Sequence, residues 1–242
     1  MGQKVLPIIR MPIRGVRYPK ILTRKILRPH QDCNISVIPN PYLPSVGLAL
    51  SAGQTNAGHA AKPCLIVACG RLALQKDYQT LLSAFHLVRK STNAHLAIIG
   101  EGPLRAELGK QAEALGIAKD IDFVGHSDDP TAWIRRASAF AMTSRWEGFP
   151  NVLLEALGCG CPIVATNCSD TVPELLGGGR YGDIRAIGDA VGISESLLAI
   201  LAGATKFDSA SAQLLRYDLD AIAERYLAIL VGGAMTADKI SA

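Results

Sequence analysis

The chain has no uncharged apolar stretch approaching the roughly 18 residues that a membrane span requires. Its first apolar run, Val5–Ile9, stops at Arg10 and more bases follow, which is not the pattern of a secretory signal peptide. On these two grounds the expected location is the cytoplasm. Aromatic residues are scarce, at 5%, and none interleaves with a basic stripe, which counts against a nucleic-acid-binding module. The six cysteines, at positions 33, 64, 69, 159, 161 and 168, include one isolated C-x-C and no second pair at metal-ligand spacing. They read as small buried thiols of a reducing compartment rather than as zinc ligands or disulfides. There is no internal repeat. The first strand is not followed by G-x-G-x-x-G, which argues against an NAD-dependent dehydrogenase or a nucleotide-sugar epimerase.

Acidic residues are absent from the first thirty positions, which hold eight Lys or Arg. The rest of the chain carries seventeen bases against twenty-one acids, so a mildly acidic body follows a strongly basic start. Four prolines, Pro7, Pro12, Pro19 and Pro29, prevent a long amphipathic helix there. The segment 1–36 therefore reads as a basic remnant of a preceding domain or linker. A weak peripheral contact with anionic lipid at the inner face of the membrane is the functional alternative.

What the chain does have is apolar material, 49% of its residues, arranged in a regular order. After a flexible stretch rich in Gly, Ala and Ser (47–61), short apolar runs alternate with helical patterns. Cys64–Cys69, His95–Ile99, Ile121–Val124, Ala139–Thr143 and Pro162–Ala165 read as five buried strands. Between them lie helices: one capped by Asp77 and running to Lys90, one from Pro103 to Leu115, and shorter ones at Thr131–Ala137, Asn151–Leu157 and Val172–Leu176. Two further helices are expected, over Asp189–Leu201 and Leu214–Val231. Continuous apolar strands alternating with helices imply an α/β fold: a single Rossmann-like, doubly wound parallel sheet with helices on both faces. The expected divisions are 37–62 as a lead-in and linker, 63–205 as the Rossmann-like domain, and 206–242 as a C-terminal helical segment.

Ligands of such sheets sit beyond the carboxyl ends of the strands, so the loops there carry the chemistry. The first, Gly70–Asp77, holds Arg71 and Lys76. Arg grips two phosphate oxygens at once and Lys supplies a compact charge. The second, Glu147–Glu155, spaces two carboxylates across a strand-to-helix turn. Gly148 allows close backbone approach, and the free N–H groups of the first helical turn seat an anion. Glu155, acceptor-only when ionised, can take two hydrogen bonds from a pair of vicinal hydroxyls such as those of a ribose, and Glu147 can do the same for a hexose. Taken alone, exposed loop bases and two acids eight positions apart are commonplace; the full string E-G-F-P-N-V-x-x-E-A is not. The third, Ile98–Arg105, is a partial glycine loop with Arg105 in place of the last glycine, and it reads as a tight turn.

Taken in order, these segments resemble the donor domain of family 4 glycosyltransferases, retaining enzymes of the GT-B fold. The resemblance runs from Val37-Ile38-Pro39-Asn40-Pro41 through Gly70-Arg71-Leu72, Gln75-Lys76-Asp77, Ile99–Pro103, Glu147–Leu157 and Gly160–Thr166 to Pro173–Leu176. It implies that Arg71 and Lys76 hold the donor diphosphate, Glu147 meets the transferred sugar and Glu155 binds the ribose. Arg71, Lys76 and Glu147 are thus the expected catalytic residues. Gly70, Val124, Gly148, Phe149, Pro150, Asn151, Val152 and Glu155 are the expected donor-binding residues, with the base near Phe123–Gly125. The implied reaction transfers a hexose from a UDP- or GDP-sugar with retention, without a metal or other cofactor.

The family's enzymes carry an acceptor domain before this one, and only about 35 residues precede Val37, far fewer than a domain needs. None of His30, His59, His86, His95 and His126 matches the histidine of that domain. Two expectations follow: a transferase whose acceptor domain is a separate partner chain, or a catalytically incompetent donor-binding fragment.

Overall fold

The computed structural model describes residues 38–42 and 64–230. The basic start, the 47–61 linker and Cys33 lie outside them. Six strands form one parallel sheet: β1 (Leu65–Cys69), β2 (His95–Ile99), β3 (Ile121–Gly125), β4 (Ala139–Met142), β5 (Ile163–Thr166) and β6 (Asp183–Arg185), in the order β3-β2-β1-β4-β5-β6. The helices are α1 (Tyr78–Arg89), α2 (Arg105–Ala114), α3 (Pro130–Arg136), α4 (Asn151–Gly158), α5 (Thr171–Leu175), α6 (Ala190–Leu201), α7 (Ser211–Leu215) and α8 (Leu219–Leu230).

Alternating strand residues feed two cores. Ile66 and Ala68 of β1 and Leu96 and Ile98 of β2 face one way, against Leu81, Leu82, Phe85 and Val88 of α1, Leu108 of α2 and Leu197 of α6. Val67, Ala97, Ile99, Phe140 and Met142 face the other way, against Ile134 of α3, Leu153, Leu154 and Leu157 of α4 and Leu175 of α5. Burial on both faces is why these strands read as unbroken apolar runs. The Rossmann-like, doubly wound sheet is the expected one.

Three local expectations are corrected. A sixth strand, β6, extends the sheet beyond β5. It is three residues long with a charge at each end, and it is fixed by Ser196 and Arg185, both of which donate to the Asp183 carboxylate. The single C-terminal helix is instead two, α7 and α8, broken at Arg216–Asp218 where Tyr217 turns into the core. Asp77 holds the position before α1 but makes no side-chain cap; its carboxylate turns away to Arg145.

The lead-in Ile38–Tyr42 lies along α4. Asn40 donates to the Asn151 side chain at the start of that helix (2.7 Å), and the Tyr42 hydroxyl packs on Gly158 at its end, where a side chain would collide with it. The Tyr42 N–H donates to the Tyr217 carbonyl (2.6 Å), which ties the lead-in to the C-terminal segment.

Candidate functional site

The strand order reverses between β1 and β4: β2 and β3 run out on one side of the sheet, β5 and β6 on the other. In open α/β sheets the crevice where ligands bind lies at such a reversal, beyond the carboxyl ends of the strands. The loops leaving β1 and β4 carry Arg71, Lys76, Glu147 and Gly148.

The loops are laced together. Arg145 N–H donates to the Gln75 carbonyl (2.8 Å), and the Gln75 side-chain amide donates to the Trp146 carbonyl (3.0 Å). The Thr143 hydroxyl donates to the carbonyls of Lys76 (2.9 Å) and Asp77 (3.1 Å). Within this frame Lys76 Nζ lies 2.6 Å from Glu147 Oε1. Ser144 Oγ donates to the same oxygen (2.8 Å) and Gln75 Nε2 to Oε2 (3.2 Å). The stem of Lys76 crosses Gly70 so closely that a Cβ there would strike it. This close pass, together with a positive φ, accounts for glycine at position 70.

Glu147, which a loop sequence suggests to be exposed, is only 8% exposed. A carboxyl group that deep needs a cation and donors around it to replace the water it has lost. Lys76, Ser144 and Gln75 are that set.

Glu155 lies one turn inside α4, half-buried. Burial pushes its carboxyl up from the usual carboxylate range. The Cys69 thiol at the end of β1 is pushed up to about 11, chiefly by burial, with Glu155 adding to the rise and Lys76 opposing it. Arg71 stands exposed on the β1 loop. Gly148 is pinned through its carbonyl, which accepts from Thr171 Oγ1 (3.2 Å). Phe149 packs inward, 5.8 Å from the Tyr217 ring, Pro150 is buried, and the Asn151 N–H that begins α4 is taken by the Phe149 carbonyl (3.0 Å).

On the far side of β1, the loop after β2 closes against the β1 loop. Leu72 N–H donates to the Glu101 carbonyl (2.9 Å) and Leu104 N–H to the Leu72 carbonyl (3.1 Å). A Cβ at Gly100 or Gly102 would overlap the carbonyls of Gly70 and Leu72. Those glycines thus serve backbone-to-backbone packing, as a tight turn would. Val124 ends β3 beside a groove of about 470 Å³ lined also by Arg105, Glu113, Phe123 and Trp133. The Arg105 guanidinium lies 3.8 Å over the Phe123 ring. Among the described residues, no three His, Cys, Asp or Glu side chains gather as a metal site.

The sequence pattern of the group 1 glycosyl transferases matches residues 63–203, more than half of the chain. The chain belongs to that family. A stretch of 123 residues of this glycosyl transferase domain is 33% identical to the N-acetylgalactosamine-N,N'-diacetylbacillosaminyl-diphospho-undecaprenol 4-alpha-N-acetylgalactosaminyltransferase of Campylobacter jejuni, covering 51% of this chain and 33% of that protein. Two solved structures share the architecture. The lipopolysaccharide outer core galactosyltransferase WaaB in its apo form matches with a TM-score of 0.68 and 20% identity, over 88% of this chain and 60% of that one. The pneumococcal O-GlcNAc transferase GtfA, in complex with UDP and GlcNAc, matches with a TM-score of 0.69 and 16% identity, over 89% of this chain and 44% of that one. At these identities the two structures establish the fold: the domain is one Rossmann-like half of a GT-B architecture. The domain spans about a third of the curated relative's length.

Against the sequence reading, the structure joins Lys76 to Glu147, passes the Lys76 stem over Gly70 and keeps Gly148 next to Glu147 on the β4 loop; Glu155 lies in the helix that follows, and Val124 is on β3, beyond β2. Sequence reasoning quoted Gln75 and Asp77 without giving them a part in the site, and missed Thr143, Ser144 and Arg145. Their signal was faint: a Thr-Ser pair closing a buried strand, and polar residues beside the charges already singled out.

Proposed function

We propose that this domain binds the donor of a retaining, family 4 hexosyltransferase, a UDP- or GDP-linked sugar. The acceptor is then bound by a further domain or partner chain. The observation that carries this reading is the Lys76–Glu147 ion pair set in the crevice between β1 and β4. Lys has three N–H donors, so Lys76 keeps Glu147 with one and gives another to a phosphate oxygen. Arg71 grips the diphosphate from the exposed side, and the N–H groups of Gly148, Phe149 and Val152 complete the seat. Glu147, fixed on its Lys76 side, turns the remaining lone pair of Oε2 to a hydroxyl of the sugar. Glu155 takes the ribose hydroxyls. The base lies by Phe123–Gly125, where Arg105 already covers the ring face.

Departure of a nucleoside diphosphate builds negative charge on the leaving oxygens. Arg71 and Lys76 stabilise that charge more in the transition state than in the bound donor, which is the condition for accelerating the step. Built-in cations fill the place a metal takes in other transferases, so the reaction proposed is metal-independent. The basic first thirty residues add a weak contact with anionic lipid.

Titration calorimetry of the full chain with UDP, GDP and the matching nucleosides tests the reading. Binding of one diphosphate, lost in Lys76→Ala, supports it; no binding of either diphosphate overturns it.

A further inference from the structure

Among the described residues Asp77 is the one non-glycine residue with a positive φ, at φ 47° and ψ 48°. It is 2% exposed, and it neither caps α1 nor belongs to the ligand-facing set above. Left-handed backbone strains a side-chain-bearing residue, and such strain persists where the surroundings hold it. The surroundings here are explicit. Arg145 Nε donates to Asp77 Oδ2 at 3.0 Å, and Thr143 Oγ1 grips the Asp77 carbonyl.

The consequence falls on Lys76. The short turn Leu74–Lys76 ends at Asp77, whose N–H returns to the Leu74 carbonyl (3.3 Å). The left-handed residue reverses the chain just after Lys76 and sets the direction in which the Lys76 stem leaves, across Gly70 toward Glu147. Arg145, the other half of the pair, is two residues before Glu147. The Asp77–Arg145 bond therefore ties the loop that carries the ammonium to the loop that carries the carboxylate, beside the pair they form.

We infer that Asp77 is a positioning residue, which acts through its ion pair with Arg145 to hold the Lys76 ammonium against Glu147. The inference rests on the proposed donor site for its functional meaning, but the geometry it asserts is measurable without any ligand. The Asp77 carboxylate, rather than backbone flexibility alone, is what keeps Lys76 in place.

The test is the rate at which the Lys76 amine of the full chain is labelled by acetic anhydride, read by peptide mass spectrometry, with Lys110 and Lys119 as internal references. In the native chain Lys76, with its side chain 17% exposed and paired, labels slowly. Asp77→Asn and Arg145→Gln should each raise the Lys76 rate several-fold and leave the reference lysines unchanged. Asp77→Gly, which accepts the left-handed backbone without strain, should release Lys76 as Asp77→Asn does. An unchanged Lys76 rate in both Asp77→Asn and Arg145→Gln overturns the inference. So does a native rate in Asp77→Gly, which would make the backbone the sole device. A rise shared by all three lysines marks a general loss of structure and also counts against it. Titration with UDP and GDP is the separate arm: a native chain that binds neither defeats the donor reading, while the labelling still decides the positioning role.

Discussion

The Lys76 ammonium and the Glu147 carboxylate meet at 2.6 Å although 71 positions separate them in the chain. Strand order brings them together: β1 and β4 are neighbours only because the sheet reverses direction of growth between them. The site is thus a product of topology, and each of its charges depends on the other for tolerable burial.

Removing one partner tests that dependence. Lys76→Met leaves Glu147 buried with Ser144 and Gln75 as its remaining donors, and the expected loss is about 2 kcal/mol of stability. Glu147→Gln added to it should restore part of the loss. A coupling between the two substitutions of about 1 kcal/mol or more, from urea denaturation of the four proteins, is the expected result. Additive losses would show that the contact contributes nothing to stability.

Glu155 should make the domain pH-sensitive in a definite direction. Burial raises its carboxyl in the folded state above the unfolded value. The folded chain then binds a proton that the unfolded chain releases in the window between the two values. Stability from this group is fully present below the unfolded value and is lost as pH rises through the folded one. At neutral pH, Glu155→Gln should therefore be more stable than the native chain, with the advantage shrinking as pH is lowered through the folded value. Urea midpoints of both proteins across that range check it. The same substitution should weaken binding of the nucleoside part of the donor.

Gly102→Ala should damage the site without touching a charge. Its new Cβ would overlap the Leu72 carbonyl, a backbone atom that cannot swing aside. The expected cost is about 2–3 kcal/mol, typical of overpacking against a fixed neighbour. A near-native urea midpoint would show that the β1 and β2 loops separate easily.

Tyr42 offers a measure of how firmly the lead-in is attached. It is 7% exposed and packs in the second core with α4 and Tyr217. Tyr42→Ala should cost about 3 kcal/mol, as for other buried aromatic truncations. A loss under about 1 kcal/mol, the range of an ordinary surface change, would mean that the lead-in adds little to the domain.

The sequence showed the fold wherever burial on both faces wrote an unbroken apolar run, as in Leu65–Cys69 and His95–Ile99. It was silent on β6, where Asp183 and Arg185 flank a single Ile and the strand is held by side-chain bonds to Ser196. Asp77 looked like a helix cap because Asp before an amphipathic pattern usually is one; a partner 68 positions away took its carboxylate instead. The break at Tyr217 was hidden for a similar reason: the apolar period continues across it, while Tyr217 meets Phe149 and Tyr42, which are distant in the chain. Arg71, Lys76, Glu147 and Glu155 were legible as candidates from their loops. That Glu147 is enclosed, and by which donors, is a long-range fact that no local spacing encodes.

The five residues Ile38–Tyr42 hold α4 like a bowstring, fastened at Asn151 and again at Gly158. Tension applied along that string reaches both tips of the helix at once, and Glu155 rides between them. A displacement of this short stretch would be felt at the carboxylate and at the leading tip of α4 together.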